Sequence, residues 1–322
     1  MRQLPFFRLS ICTLVIAGLT ACNGGGDSTE TTTTSSTTSS TTTTPSSSTS
    51  NTSELTVQFK GVVNDQDFVC GETYRPVGAV IQDSYKINDF RVYLSQFKLL
   101  NQHNASYETL SLTVDNKWQT ANTALLDFEN GCLNGTPDMN TQVKAVLPAG
   151  KSITDYNGIC FTLGLPFDEN HGDPTVLPSP LNISGMLWSW TTGRKFIRID
   201  GMGDPENLKA SFVVHLGSTG CSDVNKQGQQ PDGPCTYPNT PEICFSNFDF
   251  SRHHIKVDVA QILKESNIVY NTPDTAVGCM SGNNDPECQT ILPLLGIDFT
   301  YKDGVNLPVL YPKKEQRFFT VQ

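Results

Sequence analysis

Eight cysteines between Cys70 and Cys288 constrain this chain more than any other feature of its sequence. Whether they act as thiols, disulfides or metal ligands depends on compartment, and the N-terminus speaks to that. Arg2 and Arg8 form a basic region, followed by the apolar run Leu9–Leu19, which is too short to anchor the chain across a bilayer. The run ends in Leu19-Thr20-Ala21-Cys22. A small residue before a cysteine at that place reads as a lipoprotein signal, cleaved before Cys22, with lipid added to its sulfur. An ordinary signal peptide cut nearby is the alternative. Residues 1–21 are then a signal, and acyl chains on Cys22 would tether the chain without spanning the membrane. Asn23 is not the aspartate associated with inner-membrane retention, so the expected placement is the outer membrane, facing the periplasm or the outside.

In an exported chain an even number of cysteines reads as a disulfide framework. The candidates are Cys70, Cys132, Cys160, Cys221, Cys235, Cys244, Cys279 and Cys288. Cys279–Cys288 is the favoured pair, because the residues between them form a turn-rich loop. Structural zinc is disfavoured: the clustered cysteines are spaced too loosely for Cys-x-x-Cys, and no histidine lies within the clusters.

Asn23–Ser53 is almost entirely Ser, Thr and Gly. It has no apolar groups to repay the entropy of ordering, so residues 22–53 read as a disordered tether. Stretched, it reaches roughly 100 Å at about 3.3 Å per residue. The folded domain is then 54–322. The formal charge of −10 argues against nucleic acid and against anionic lipid surfaces as partners.

Within 54–322, apolar residues recur with the period of strands. Leu55–Phe59 alternates cleanly. Phe90, Val92 and Leu94 share a face, and the pattern slips near Ser95, which predicts a bulge. Further strands are expected at Thr109–Val114, Thr141–Val146, Gly158–Leu163, Lys195–Ile199, Ser211–Leu216, His254–Ala260 and Gln316–Val321. A loop over Ser222–Glu242 is expected to be clamped by Cys221, Cys235 and Cys244. Many short strands between Gly/Pro/Asn loops predict an all-β, mainly antiparallel sandwich or barrel-like domain, with long disulfide-clamped loops and few short helices.

The densest run of unusual signals is Gly158–Cys221. His171 sits in Glu169-Asn170-His171-Gly172-Asp173-Pro174, read as a loop because of Gly172 and Pro174. His215 lies in a strand on the face of Ser211 and Val213. Imidazole suits copper better than carboxylate does, so this pair is the leading metal-ligand candidate; two unconnected histidines are the alternative. Trp188 and Trp190 either pack in the core or bracket a site. His253 is expected to face inward, His254 outward, and His103 solvent. Met186 and Met280 are thioethers that could serve copper(I), though packing explains both. No hydrolase, zincin or phosphate-loop motif is present in the sequence.

An ordered series of motifs resembles the MbnP family of periplasmic copper-binding proteins, also described as a metallo-mystery pair four-cysteine family. The matching pieces include Phe161–Phe167, Asn170-His171, Ser179–Leu181, Leu187-Trp188-Ser189-Trp190, Gly193–Phe196 and His215–Cys221. Later come Cys244, Gly278–Gly282 and Asp285–Cys288. The resemblance implies copper as the bound metal and a MauG/MbnH-like di-haem partner that oxidises a tryptophan to kynurenine. It also implies copper ligation by His171 and His215, a modified residue at Trp188 or Trp190, and a four-cysteine pattern of Cys221, Cys244, Cys279 and Cys288. The expected function is a lipid-anchored copper carrier or store, not an enzyme. The alternatives are a protein whose oxidised tryptophan is itself the product, and a metal-free surface adhesion module.

Overall fold

The computed structural model describes residues 53–80, 83–132, 137–189, 193–222 and 230–322. The signal, Cys22, nearly all of the tether and Trp190 lie outside the described residues. Among the described residues, no helix is long and apolar enough to cross a membrane.

Two sheets form a β-sandwich, and nearly all of their strand pairs are antiparallel. The smaller is ordered around strand Glu54–Val63, which pairs with Gln142–Val146 on one side. On the other side it runs parallel to Ile255–Asp258, which carries Phe319–Val321 at the edge. The larger is organised on the long strand Tyr85–Asn101, flanked by Ile197–Gly203 and Tyr156–Leu163, with Ala210–Leu216 and Glu242–Ser246 outside them.

The core lies between the sheets. Leu55, Val57 and Phe59 point into it from the first sheet, and Phe90, Val92 and Leu94 from the second. Phe161 joins the layers through ring contacts to Phe59 at 5.9 Å and Phe319 at 5.2 Å. Edge-on aromatic pairs of this kind fill a sandwich core with large, stiff side chains.

The expected bulge is present: Gln96 has φ 53°, and the pairing with 156–163 skips between Ser95 and Lys98. Several expectations are corrected. The strand expected over Thr109–Val114 is two short strands, Tyr107–Thr109 in the larger sheet and Ser111–Leu112 in the smaller. His171 is not in a loop but ends the helix Phe167–His171. Gly172 and Pro174 stop that helix rather than prevent it. The strand expected over His254–Ala260 covers only Ile255–Asp258, where the Asp258 carboxylate accepts from Ala260 N at 3.1 Å and starts the helix Val259–Leu263.

The disulfides are Cys70–Cys132, Cys160–Cys244, Cys221–Cys235 and Cys279–Cys288. Cys279–Cys288 is as expected. Cys244 does not clamp the 222–242 loop; it joins Cys160 across the paired strands 156–163 and 242–246, where the two residues stand directly opposite.

Candidate metal centre

The strand Ala210–Leu216 places Phe212, Val214 and Leu216 in the core, so His215 points to the opposite face with Val213. Its neighbour Ile197–Gly203 alternates the same way, with Ile197 and Ile199 inward and Arg198 and Asp200 outward. The antiparallel register sets Arg198 opposite His215 and Asp200 on the diagonal, opposite Val213, and His215 Nε2 lies 2.6 Å from Asp200 Oδ1. Arg198 also donates to Asp200, at 2.6 Å. Burial pushes the Asp200 carboxyl up, but the bonds from His215 and Arg198 outweigh it and hold it down at about 2. An ionised carboxylate only accepts, so His215 Nε2 carries the proton and, in the neutral ring, Nδ1 holds the lone pair. That Nδ1 is buried and has no hydrogen-bond partner among the described residues. A histidine that gives one N–H to a carboxylate and keeps the other nitrogen open has the arrangement of a metal ligand.

The segment carrying His215 is fixed from its other edge by the Cys279–Cys288 loop. Cys279 O accepts from His215 N at 2.9 Å, and Ser281 Oγ donates to His215 O at 2.9 Å. Gly278 allows this approach: its φ is +66°, and a Cβ there would collide with the Val213 backbone.

His171 is fully buried. Arg194, itself buried, caps its helix by donating to the carbonyls of Glu169 and Asn170 at 2.7 and 2.6 Å and of Gly172 at 3.1 Å. A cation at a helix C-terminus satisfies carbonyls that the helix leaves open. Asn170 links the parts: Oδ1 accepts from Arg194 N at 2.7 Å, and Nδ2 lies 3.0 Å from His171 Nε2 and 3.3 Å from Ser218 Oγ. Beyond Nε2 lie the sulfurs of Cys235 at 3.3 Å and Cys221 at 3.6 Å. His171, Cys221 and Cys235 therefore form a group, all within 4.8 Å of one another, of the residue types that could coordinate a metal, with the two sulfurs joined here as a disulfide. The sequence hid this grouping, because His171 lies 50 and 64 residues from these cysteines along the chain. His215 is not in the group.

Trp188 lies between the two histidine segments. It is half-buried on the short hairpin of Leu187–Ser189 with Gly193–Arg194. Its indole lies over Gly217, two residues after His215, and it lines a cavity of about 150 Å³ with Asn170, Gly172 and Arg194. Trp190 lies outside the described residues, so only one tryptophan candidate is placed. Of the remaining histidines, His253 accepts from Asp249 N at 3.0 Å within a turn, His254 is half-buried, and His103 faces Asp155 at the surface. Met186 is wholly buried in the core.

Asp200 and Arg194 were not legible as site residues, since each acts through a partner fixed by strand register or by a distant helix end. Asp200 also lines a polar cavity of about 730 Å³ with Asp89, Arg91, Asp127 and Arg198. Burial pushes Asp127 up to about 7 there, against the opposing charge of Arg91.

These features define a class: a disulfide-clamped β-sandwich with a candidate metal centre at one edge of its larger sheet. The MbnP family model matches residues 52–281, and the chain belongs to that family. The solved structure of MbnP from Methylosinus trichosporium is similar, with a TM-score of 0.69 and 29% identity, covering 84% of this chain and 98% of that chain. No curated protein gives a match.

Proposed function

We propose that this MbnP-family protein is an exported, lipid-anchored copper-binding protein, a carrier or store whose cargo is copper. His215 and His171 supply the imidazoles, and Trp188 is the residue that a MauG-like di-haem partner oxidises to kynurenine. The observation that carries the reading is His215: buried, with its Nε2–H on Asp200 and its Nδ1 open. Trp188 supports it by lying half-buried against the strand end that bears His215, where a partner can reach its edge.

The test is a copper(I) competition titration on protein purified from its own host, so that any tryptophan oxidation is present. One tight equivalent is expected, lost in His215→Ala and in His171→Ala. Peptide mass analysis of the same sample is expected to find Trp188 converted. Copper affinity unchanged in both variants contradicts the site, and an unmodified tryptophan contradicts the role given to the partner.

A further inference from the structure

We propose that Cys221–Cys235 is a redox gate on a second metal site, built from His171 Nε2 and the two cysteine sulfurs, and that its reduced form takes a thiophilic d10 cation. This goes beyond the copper reading: it shares His171 with it but takes the two sulfurs in place of His215.

The His171 imidazole is fully buried, and its Nε2 faces both sulfurs at 3.3 and 3.6 Å. With Asn170 Nδ2 donating at 3.0 Å, Nε2 is the nitrogen that carries the lone pair, and an ion bound there would replace that N–H, which Ser218 Oγ at 3.3 Å can keep. A tetrahedral ion with bonds of about 2.3 Å to sulfur and about 2.0 Å to nitrogen needs its sulfur and nitrogen donors roughly 3.5 Å apart. The two nitrogen–sulfur separations already meet that requirement. What is missing is the sulfur–sulfur spacing, because the sulfurs are bonded to each other. They must part to roughly 3.8 Å for both to reach one ion. A disulfide sulfur is also a poor donor, whereas the thiolate is a strong one. The site is thus complete in residue types and in nitrogen–sulfur spacing, and is closed by a single bond.

That bond is reachable. Cys221 and Cys235 are both half-buried, while Cys279 and Cys288 are fully enclosed. No donor group of three is found at the other disulfides among the described residues. The chemistry balances with a dithiol reductant of the thiol–disulfide oxidoreductase class. One reductant thiolate attacks a cysteine sulfur, forming a mixed disulfide and releasing the other cysteine. The second reductant thiolate then closes its own disulfide, so two electrons and two protons pass to Cys221 and Cys235. A divalent ion that binds both sulfurs displaces those two protons. Reoxidation reverses the sequence and expels the ion.

Cadmium(II) is the probe, followed by the ultraviolet thiolate-to-cadmium charge-transfer band. Wild type, the double variant Cys221→Ser/Cys235→Ser, His171→Ala and His215→Ala are each treated with a small dithiol, freed of it without oxygen, and titrated. The wild type is expected to bind one equivalent that the double variant lacks. His171→Ala is expected to weaken that equivalent by at least about tenfold, and His215→Ala to leave it unchanged. Identical titrations of wild type and double variant overturn the proposal, and so does full affinity in His171→Ala. Should His171→Ala fail to fold, the double variant decides alone. Both readings use His171, so they are told apart elsewhere: copper binding in the untreated protein stands or falls with His215, and the cadmium equivalent of the reduced protein stands or falls with Cys221 and Cys235.

Discussion

Asp200 decides which nitrogen of His215 is available. Held near pKa 2, it is ionised throughout the ordinary pH range and keeps the imidazole in one tautomer. Asp200→Asn is expected to lower copper(I) affinity about 10–100-fold without removing a ligand, as loss of such an orienting carboxylate does. Competition titration of that variant beside His215→Ala checks this; equal affinity for wild type and Asp200→Asn would show that the carboxylate only packs. At this scale the sequence showed His215 itself, because Ser211, Val213 and His215 alternate with an apolar face. It did not show Asp200, whose partner depends on how 197–203 registers against 210–216. His171 was legible as a candidate from its motif, but its two sulfur neighbours come from residues 50 and 64 positions away.

Among the elements, the hairpin that carries Trp188 and the strand end that carries His215 meet at one glycine. A Cβ at Gly217 would collide with the Trp188 indole and stand 2.9 Å from Arg194 O. Gly217→Ala is therefore expected to displace the indole, at a cost of about 1–3 kcal/mol for overpacking. Urea unfolding would report the lost stability and tryptophan fluorescence the displaced ring; a variant with wild-type stability and emission would mean that the two elements do not press together. Periodicity made most strands visible, since a half-buried strand needs alternation. It could not reveal the helix Phe167–His171. Five residues carry no helical period, and the helix depends on Arg194 for its C-terminal cap.

For the whole molecule, the fold class was legible because many short alternating segments between turn-rich loops have few solutions other than a sandwich or barrel. Sheet order and disulfide connectivity were not, because both are set by contacts across the sandwich. Cys160 finds Cys244 only once their strands pair in register. Stability as a function of pH is also a property of the whole chain. Burial raises Asp127 and Asp285 to about 7 in the folded state, whereas an unfolded aspartate titrates near 4. Between those values the folded chain holds protons that the unfolded chain has released, so stability falls as pH rises through the window. Melting temperature is expected to drop between pH 5 and pH 8, and Asp127→Asn to flatten the drop by roughly 2–4 °C for each kcal/mol involved. A flat wild-type profile would mean that these carboxyls are not held protonated.

On this reading copper sits on the open nitrogen of His215. A copper-edge anomalous difference map from copper(I)-loaded crystals of host-purified protein tests it most directly. One strong peak is expected, bonded to His215 Nδ1 on the side of the ring away from Asp200. A peak elsewhere, with His215 Nδ1 still bare, would contradict it.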